Sequence, residues 1–126
     1  MAMAVLFATL SFAKKFPLIA ASIVPAATGS VDLGKDRNGN TELKLNVDHL
    51  AKPASLTPPQ NNYVVWVQEK DAAAENVGEL KVNGKLKGAF QTVTPRRKFD
   101  VFVTAESDVT IKAPSGPEVL RGTVSR

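Results

Sequence analysis

The stretch Tyr63-Val64-Val65-Trp66-Val67-Gln68 is apolar on both faces of an extended chain, because successive side chains of a strand point to opposite sides. Such a run is typical of a central strand that is covered on both sides. A second stretch, Phe99–Ala105, has one apolar face and places Phe102 on the other. We expect these two strands to be neighbours, as the third and sixth strands of an immunoglobulin-like sandwich are.

The same short alternating runs recur along residues 28–126, and turn residues separate them at intervals of about 8–12 positions. The predicted strands are Ser30–Leu33, Thr41–Val47, Tyr63–Gln68, Val77–Val82, Lys85–Val93, Phe99–Ala105, Val109–Lys112 and Val119–Val124. The sequence therefore predicts an all-β domain, an immunoglobulin-like antiparallel β-sandwich of about seven or eight strands.

Two Asn-Gly pairs, Asn38-Gly39 and Asn83-Gly84, indicate turns between predicted strands. A three-residue loop at each turn keeps apolar residues on one face, whereas a slip of one residue would move the whole face. In the second loop, Gly84 is expected to take the left-handed conformation of a bulge. The first loop places Leu33 opposite Leu45 and Val31 opposite Val47.

Residues 1–27 differ in composition from the rest of the chain. The pair Lys14-Lys15, the apolar stretch Phe16–Val24 and the small-residue site Val24-Pro25-Ala26 follow the order of an export signal. The apolar run before the lysines is atypical of such a signal, so a retained membrane anchor and a buried helix of a cytosolic domain are alternatives. We expect residues 1–27 to be a signal peptide or membrane anchor, which would make the protein exported, periplasmic or associated with the cell envelope.

The composition excludes several kinds of site. The 126 residues contain no cysteine and one histidine, His49, which excludes a disulfide scaffold, thiolate catalysis and a metal centre with several histidines. Without Lys14 and Lys15, the formal charge of +4 falls to +2. The tight basic cluster Arg96-Arg97-Lys98 is typical of a solvated turn, so we expect no nucleic-acid partner.

The reactive side chains match no catalytic or metal-binding pattern. His49 and Asp48 are adjacent on a strand and point to opposite faces, so Asp48 does not orient the imidazole. The serines lack a nucleophile elbow, and no glycine-rich phosphate loop is present. The stretch Asp36–Glu42 has alternating oxygen side chains but lacks the glycine and glutamate of a calcium loop. We therefore expect no enzyme activity, no cofactor and no metal.

Four segments follow one another in a familiar order: Tyr63-Val64-Val65-Trp66-Val67, Asn76-Val77-Gly78-Glu79-Leu80, Phe99-Asp100-Val101-Phe102-Val103-Thr104-Ala105-Glu106 and Pro114-Ser115-Gly116-Pro117-Glu118-Val119-Leu120. The series resembles the extracytoplasmic C-terminal domain of anti-sigma factors of the anti-sigma-K type. That family shows a Tyr-x-x-Trp strand, a Val-Thr-x-Glu strand and a Pro-x-Gly segment followed by Val-Leu. The resemblance implies an immunoglobulin-like β-sandwich outside the cytoplasmic membrane.

The chain also departs from that family. Residues 1–27 are too few to hold the cytoplasmic domain that grips the sigma factor, and Glu106-Ser107-Asp108 stands where the family has Glu-Pro-Gly-Gly. The resemblance is therefore carried over for fold and compartment and not for sigma-factor binding.

The aromatic residues Tyr63, Trp66 and Phe102 are the candidate interaction surface. Either all three are packed, with their outer face covered by the segment Lys52–Gln60 or by a terminal strand, or they form an exposed patch that marks an interaction site. We expect a non-enzymatic exported β-sandwich protein that acts by protein–protein contact at the bacterial cell envelope, with another protein or as a homodimer. The alternative function is a carbohydrate or other small-ligand binding module that uses the aromatic sheet face.

Overall fold

The structure, a computed structural model, describes residues 12–126. These residues form eight β-strands and one short 3-10 turn, Pro53–Ser55, without an α-helix. The strands are β1 (Phe12–Ala20), β2 (Thr28–Lys35), β3 (Thr41–Asp48), β4 (Asn62–Gln68), β5 (Glu75–Leu80), β6 (Gly88–Thr94), β7 (Lys98–Glu106) and β8 (Glu118–Ser125). The predicted all-β fold is confirmed.

All strand pairs are antiparallel, as predicted, in the order β5-β4-β7-β8-β1-β2-β3-β6. The result is one eight-stranded sheet that is nearly closed into a barrel. The expected adjacency of β4 and β7 is confirmed, and Trp66 lies directly opposite Phe102.

One apolar core fills the inside of the sheet. Alternate residues of β2 and β3 face alternate residues of β4 and β7 across it, as the two-residue period of a strand requires. The central members are Val31, Leu33, Leu43, Leu45, Tyr63, Val65, Val67, Phe99, Val101 and Val103. Trp66 and Phe102 belong to a second cluster on the other face of β4 and β7.

Strand β1 changes partner along its length. It pairs with β2 from Phe12 to Leu18 and then with β8 at Ile19 and Ala20. Pro17, which is still paired with Ser30 just before the change, has no N–H to donate to either neighbour. β1 thereby joins the half formed by β2, β3 and β6 to the half formed by β8, β7, β4 and β5.

The segment predicted to be a signal peptide or anchor thus contains β1 from residue 12 onward. Val24 and Ala27, in the turn after β1, are also buried in the core. Residues 1–11 lie outside the described residues, and cleavage or anchoring of residues 1–27 stays a prediction. Within residues 12–126, no helix has the length and hydropathy needed to cross a bilayer.

The predicted register of the first hairpin is wrong by two residues, since Leu33 pairs with Leu43 and not with Leu45. The Asp36 carboxylate accepts hydrogen bonds from the backbone N–H groups of Asn38 and Asn40, each at 2.9 Å, and so closes a longer turn. A shift of two residues keeps every side chain on its face, so the side chains of β2 and β3 that face the core are the predicted ones.

The second predicted hairpin is also wrong, because β5 and β6 are not neighbours in the sheet and a single bridge, between Val82 and Gly88, is all that joins its two arms. The side-chain oxygen of Asn83 accepts from the backbone N–H groups of Lys85 and Lys87, at 2.8 and 3.1 Å. Leu86, and not Gly84, takes the left-handed conformation, with φ of 63°. This turn directs β6 away from β5.

The predicted strand Val109–Lys112 is a turn. The Asp108 carboxylate accepts from the backbone N–H of Thr110 at 2.9 Å and from its hydroxyl at 2.8 Å, which competes with an extended conformation. The turn places Ile111 against the second apolar cluster.

Candidate functional site

The three predicted surface residues are all buried. Tyr63, Trp66 and Phe102 are 1%, 0% and 3% exposed. Tyr63 faces the main core, and its hydroxyl donates to the carbonyl of Ala51. Burial raises the pKa of the Tyr63 phenol to about 12, so the hydroxyl stays neutral at physiological pH.

Trp66 and Phe102 form a stacked pair on the outer face of β4 and β7, with ring centroids 6.3 Å apart and planes 15° apart. Ala74 and Ile111 pack over this pair, and the Arg121 guanidinium lies 4.3 Å from the centre of the Phe102 ring. The covering groups thus come from the loops after β4 and β7 and from Arg121 of β8, not from Lys52–Gln60. In this structure the aromatic residues do not form an exposed patch.

A buried carboxylate holds the covering loop in place. Glu106, 1% exposed, accepts hydrogen bonds from the Thr104 hydroxyl at 2.7 Å, the Ser115 hydroxyl at 2.8 Å and the Ser115 N–H at 3.0 Å. The Gly116 N–H also lies 3.1 Å from both carboxylate oxygens. Thr104 in turn accepts from the Trp66 indole N–H at 2.8 Å. The indole and the loop are therefore parts of one network.

Burial raises the pKa of Glu106, but the hydrogen bonds from Thr104, Gly116 and Ser115 outweigh it and hold the pKa below its ordinary value. A carboxylate that is charged and fully hydrogen-bonded is unsuited to act as a proton donor or acceptor in catalysis. The network also unites three of the segments quoted for the family resemblance, since it joins Trp66, the Thr104–Glu106 stretch and the Ser115–Gly116 stretch. In this chain those segments have a structural role.

His49 lies in an exposed turn and has a φ of 57°. Its neighbour Asp48 binds Lys87 at 2.7 Å, and this ion pair lowers the pKa of the Asp48 carboxyl. The two residues do not form a catalytic dyad. Among residues 12–126, no three His, Asp or Glu side chains are grouped closely enough to hold a metal ion.

The basic cluster Arg96-Arg97-Lys98 is not a single surface. The Arg96 guanidinium lies 2.6 Å from a Glu69 carboxylate oxygen and 3.3 Å from one of Glu75. Its charge is therefore neutralised within the protein, at the end where β5 begins and β6 ends.

The most distinctive surface is one that the sequence analysis did not predict. β5 and β6 are the terminal strands of the sheet, and the gap between them is called the seam. Within residues 12–126, the only β-bridge across the seam joins Val82 to Gly88. Beyond that bridge, the edge of β6 that faces away from β3 has no strand partner among the described residues.

The free edge of β6 lacks the features that usually protect an edge strand, which are charges, prolines and bulges. The strand reads Gly88-Ala89-Phe90-Gln91-Thr92-Val93-Thr94, and its seven pairs with β3 run without a register shift. Val93 is 49% exposed. β5, by contrast, has two glutamates, Glu75 and Glu79, and a register shift in its pairing with β4.

Apolar side chains line the seam. Three of them are only partly buried: Val77 of β5, Val82 in the segment after β5, and Phe90 of β6. The Phe90 ring lies against the backbone of Gly78. An uncharged run with high β-propensity is visible in the sequence, but its position at an edge depends on the strand order. The sequence does not reveal that order, because an Asn-Gly pair is typical of an ordinary hairpin whereas the Asn83 side chain closes a longer turn here.

Comparison of the chain with known protein families, with curated proteins and with solved structures finds no match.

Proposed function

We propose that this protein is a non-enzymatic, exported component that works by contact with another protein at the bacterial cell envelope. The observation that supports this most is the unprotected edge of β6. A free edge presents unpaired N–H and C=O groups, and addition of a strand from a partner is an established mode of protein–protein recognition.

In this proposal the buried aromatic residues stabilise the fold and do not contact the partner. Trp66 and Phe102 anchor the loops that cover them, so the contact surface of the proposal is the β6 edge. A carbohydrate-binding role would use the face of Tyr63, Trp66 and Phe102, which is buried, and we do not extend the proposal to it.

The proposal also includes an immunoglobulin-like sandwich as the type of β-fold and an exported location for the protein. An immunoglobulin-like sandwich is supported by a single core shared between the β2–β3 and β4–β7 faces. Export is supported by the order of Lys14-Lys15, the apolar stretch and Val24-Pro25-Ala26. The intact mass and the cell fraction of the expressed chain test the compartment.

Site-specific photo-crosslinking tests the contact. A photoreactive phenylalanine derivative replaces Gln91, in the middle of β6, in cells that express the full chain. Ser30, on the outer face of β2, is the matched control position. We expect one discrete protein adduct from position 91 and none from position 30. Val93→Lys, which puts a charge on the edge, should abolish the adduct.

Equal labelling from both positions, or no adduct from either, contradicts the proposal. Turnover in a broad hydrolase screen that is abolished by His49→Ala would contradict its non-enzymatic part.

A further inference from the structure

Asn38 and Asn83 are the asparagines that a glycine follows, and the structure gives them different surroundings. We propose that Asn83 is a self-modification site, at which the backbone nitrogen of Gly84 attacks the side-chain amide and converts Asn83 to aspartate and isoaspartate. This site does not depend on the proposed function, because the reaction needs water and no partner protein.

The attacking nitrogen is accessible. Asn83 and Gly84 are both exposed, and the Gly84 N–H donates to no acceptor within residues 12–126. Nothing lies within 4 Å of the position of a Cβ added to Gly84, so the space around the turn is open. Glycine also has no side chain to hinder the approach of its nitrogen to Cγ of Asn83.

Two backbone groups hold the oxygen that gains charge in this reaction. Attack turns Oδ1 of Asn83 into an oxyanion, and the N–H groups of Lys85 and Lys87 donate to that atom at 2.8 and 3.1 Å. These distances are those of donors in an oxyanion hole. Hydrogen bonds to a charged oxygen are roughly twice as strong as those to a neutral one. The two donors therefore stabilise the transition state more than the starting amide.

The reaction is a ring closure followed by a hydrolysis. The Gly84 nitrogen loses its proton to solvent and forms a bond to Cγ of Asn83. The bond from Cγ to Nδ2 then breaks, and Nδ2 takes a proton from solvent and leaves as ammonia. Water opens the resulting cyclic imide at either carbonyl. Asparagine and water thus become aspartate or isoaspartate and ammonia, without any change of oxidation state.

Asn38 has the opposite surroundings, although a glycine follows it as well. The Gly39 N–H donates to the carbonyl of Asp36 at 3.1 Å, so the nitrogen that would attack is engaged in a hydrogen bond. The side-chain oxygen of Asn38 accepts no hydrogen bond from the described residues. The Asp36 carboxylate lies 2.9 Å from the backbone nitrogen of Asn38 and opposes the formation of negative charge nearby.

The reaction changes the turn that directs β6 away from β5. The backbone N–H of Asn83 donates to the carbonyl of Lys87 at 2.8 Å, next to the bridge between Val82 and Gly88. An aspartate at this position adds a negative charge in the depression that Lys81 also lines. An isoaspartate adds a methylene group to the main chain within the turn. The modification therefore acts at the bridged end of the seam.

Peptide mapping by mass spectrometry, on the full-length protein incubated at neutral pH, follows both asparagines in one sample. In the folded protein we expect Asn83 to convert about tenfold faster than Asn38, a smaller effect than that of an oxyanion donor in a site closed to water. In concentrated urea the two sites should react at similar rates, and Asn83 should react more slowly than in the folded protein.

Gly84→Ala is the matched variant, because the added Cβ crowds the attacking nitrogen and meets no other atom. It should slow conversion of Asn83 and leave that of Asn38 unchanged. Chromatographic separation of the isomeric peptides should show isoaspartate together with aspartate at position 83, as opening of a cyclic imide requires.

Similar rates at the two asparagines in the folded protein would overturn the proposal, as would faster conversion of Asn83 in urea than in the folded chain. Unchanged conversion in Gly84→Ala, or aspartate as the sole product, would overturn attack by the Gly84 nitrogen. The contact at the β6 edge is tested separately, by the crosslink at position 91.

Discussion

Glu106 shows how one buried charge organises a loop. Its carboxylate would be costly inside the protein if it were unpaired, but Thr104, Ser115 and Gly116 donate hydrogen bonds to it. The same loop is fastened a second time, because the Asn76 side-chain amide donates to the carbonyls of Val109 and Ile111 at 2.9 and 2.8 Å. The cover over Trp66 therefore depends on specific polar contacts as well as on apolar packing.

The lowered pKa of Glu106 predicts that the stability of the protein depends on pH. Because its pKa is lowered on folding from an ordinary value of 4.5, its contribution is present above that value and is lost as the pH falls through the folded pKa. Glu106→Gln should reduce the free energy of unfolding at pH 7 by about 1–3 kcal/mol, since its amide nitrogen would face donors. It should also flatten the decline below pH 4.5, in urea titrations from pH 7 to pH 3.

Asp48 and Asp108 also have lowered pKa values and remain in that variant, so the difference between wild type and Glu106→Gln isolates Glu106. An unchanged acid profile in the variant would show that Glu106 is not the anchor of the loop.

Gly116 is predicted to tolerate no side chain. A Cβ atom there would lie 1.7 Å from the carbonyl oxygen of Ala105, which is backbone and cannot give way. Gly116→Ala should destabilise the fold by about 1–3 kcal/mol, the usual cost of overpacking. Gly84→Ala is the control, because nothing lies within 4 Å of the position of its added Cβ. Equal midpoints of urea unfolding for the two variants would contradict the close approach.

β1 allows a test of whether the predicted leader is part of the folded domain. Leu18 is 5% exposed, and Cβ atoms built on Gly29 and Gly122 would each lie 3.0 Å from its methyl groups. Leu18→Ala should cost about 2–5 kcal/mol because it leaves a cavity in the core. Ile19→Ala, at a position that is 67% exposed, should cost less than about 0.5 kcal/mol.

If the two variants of β1 are equally stable in the purified protein, β1 is not part of the domain and the cleaved-signal prediction gains support. The measurement is a urea titration of each full-length variant, with the mass of the purified chain confirmed beforehand.

Most strands were predictable from the sequence because their alternation is local. Which side chains of β2, β3, β4 and β7 face the core follows from that two-residue period alone. The turns were not predictable to the residue, since Asp36, Asn83 and Asp108 redirect the backbone through side-chain hydrogen bonds. β1 was hidden because its exposed positions, such as Ile19, are apolar like its buried positions, such as Leu18, and the resulting continuous apolar stretch is typical of a leader.

The candidate site was less predictable than the fold. The aromatic residues attract attention in the sequence, yet the loop that covers them is held by Glu106 and by Asn76, which lies 33 and 35 residues from its partners Val109 and Ile111. The β6 edge depends on which strands end up last in the sheet, a property of the whole topology.

At the scale of the whole molecule, the fold is a sheet that closes everywhere except at the seam. β1 closes the junction between the two halves by changing partner between Leu18 and Ile19, and no strand among the described residues plays that role between β5 and β6. The contact function that we propose therefore lies at the one junction between neighbouring strands that lacks a continuous ladder within residues 12–126.

Amide hydrogen exchange along Gly88–Thr94, measured by NMR on the free full-length protein, tests this claim most directly. N–H groups in an edge strand alternate between those bonded to the neighbouring strand and those directed to solvent. The account predicts alternating protection, with slow exchange for the N–H groups that face β3 and fast exchange for those that face the seam. Uniformly slow exchange through all seven residues would show that the edge is already paired, and would contradict it.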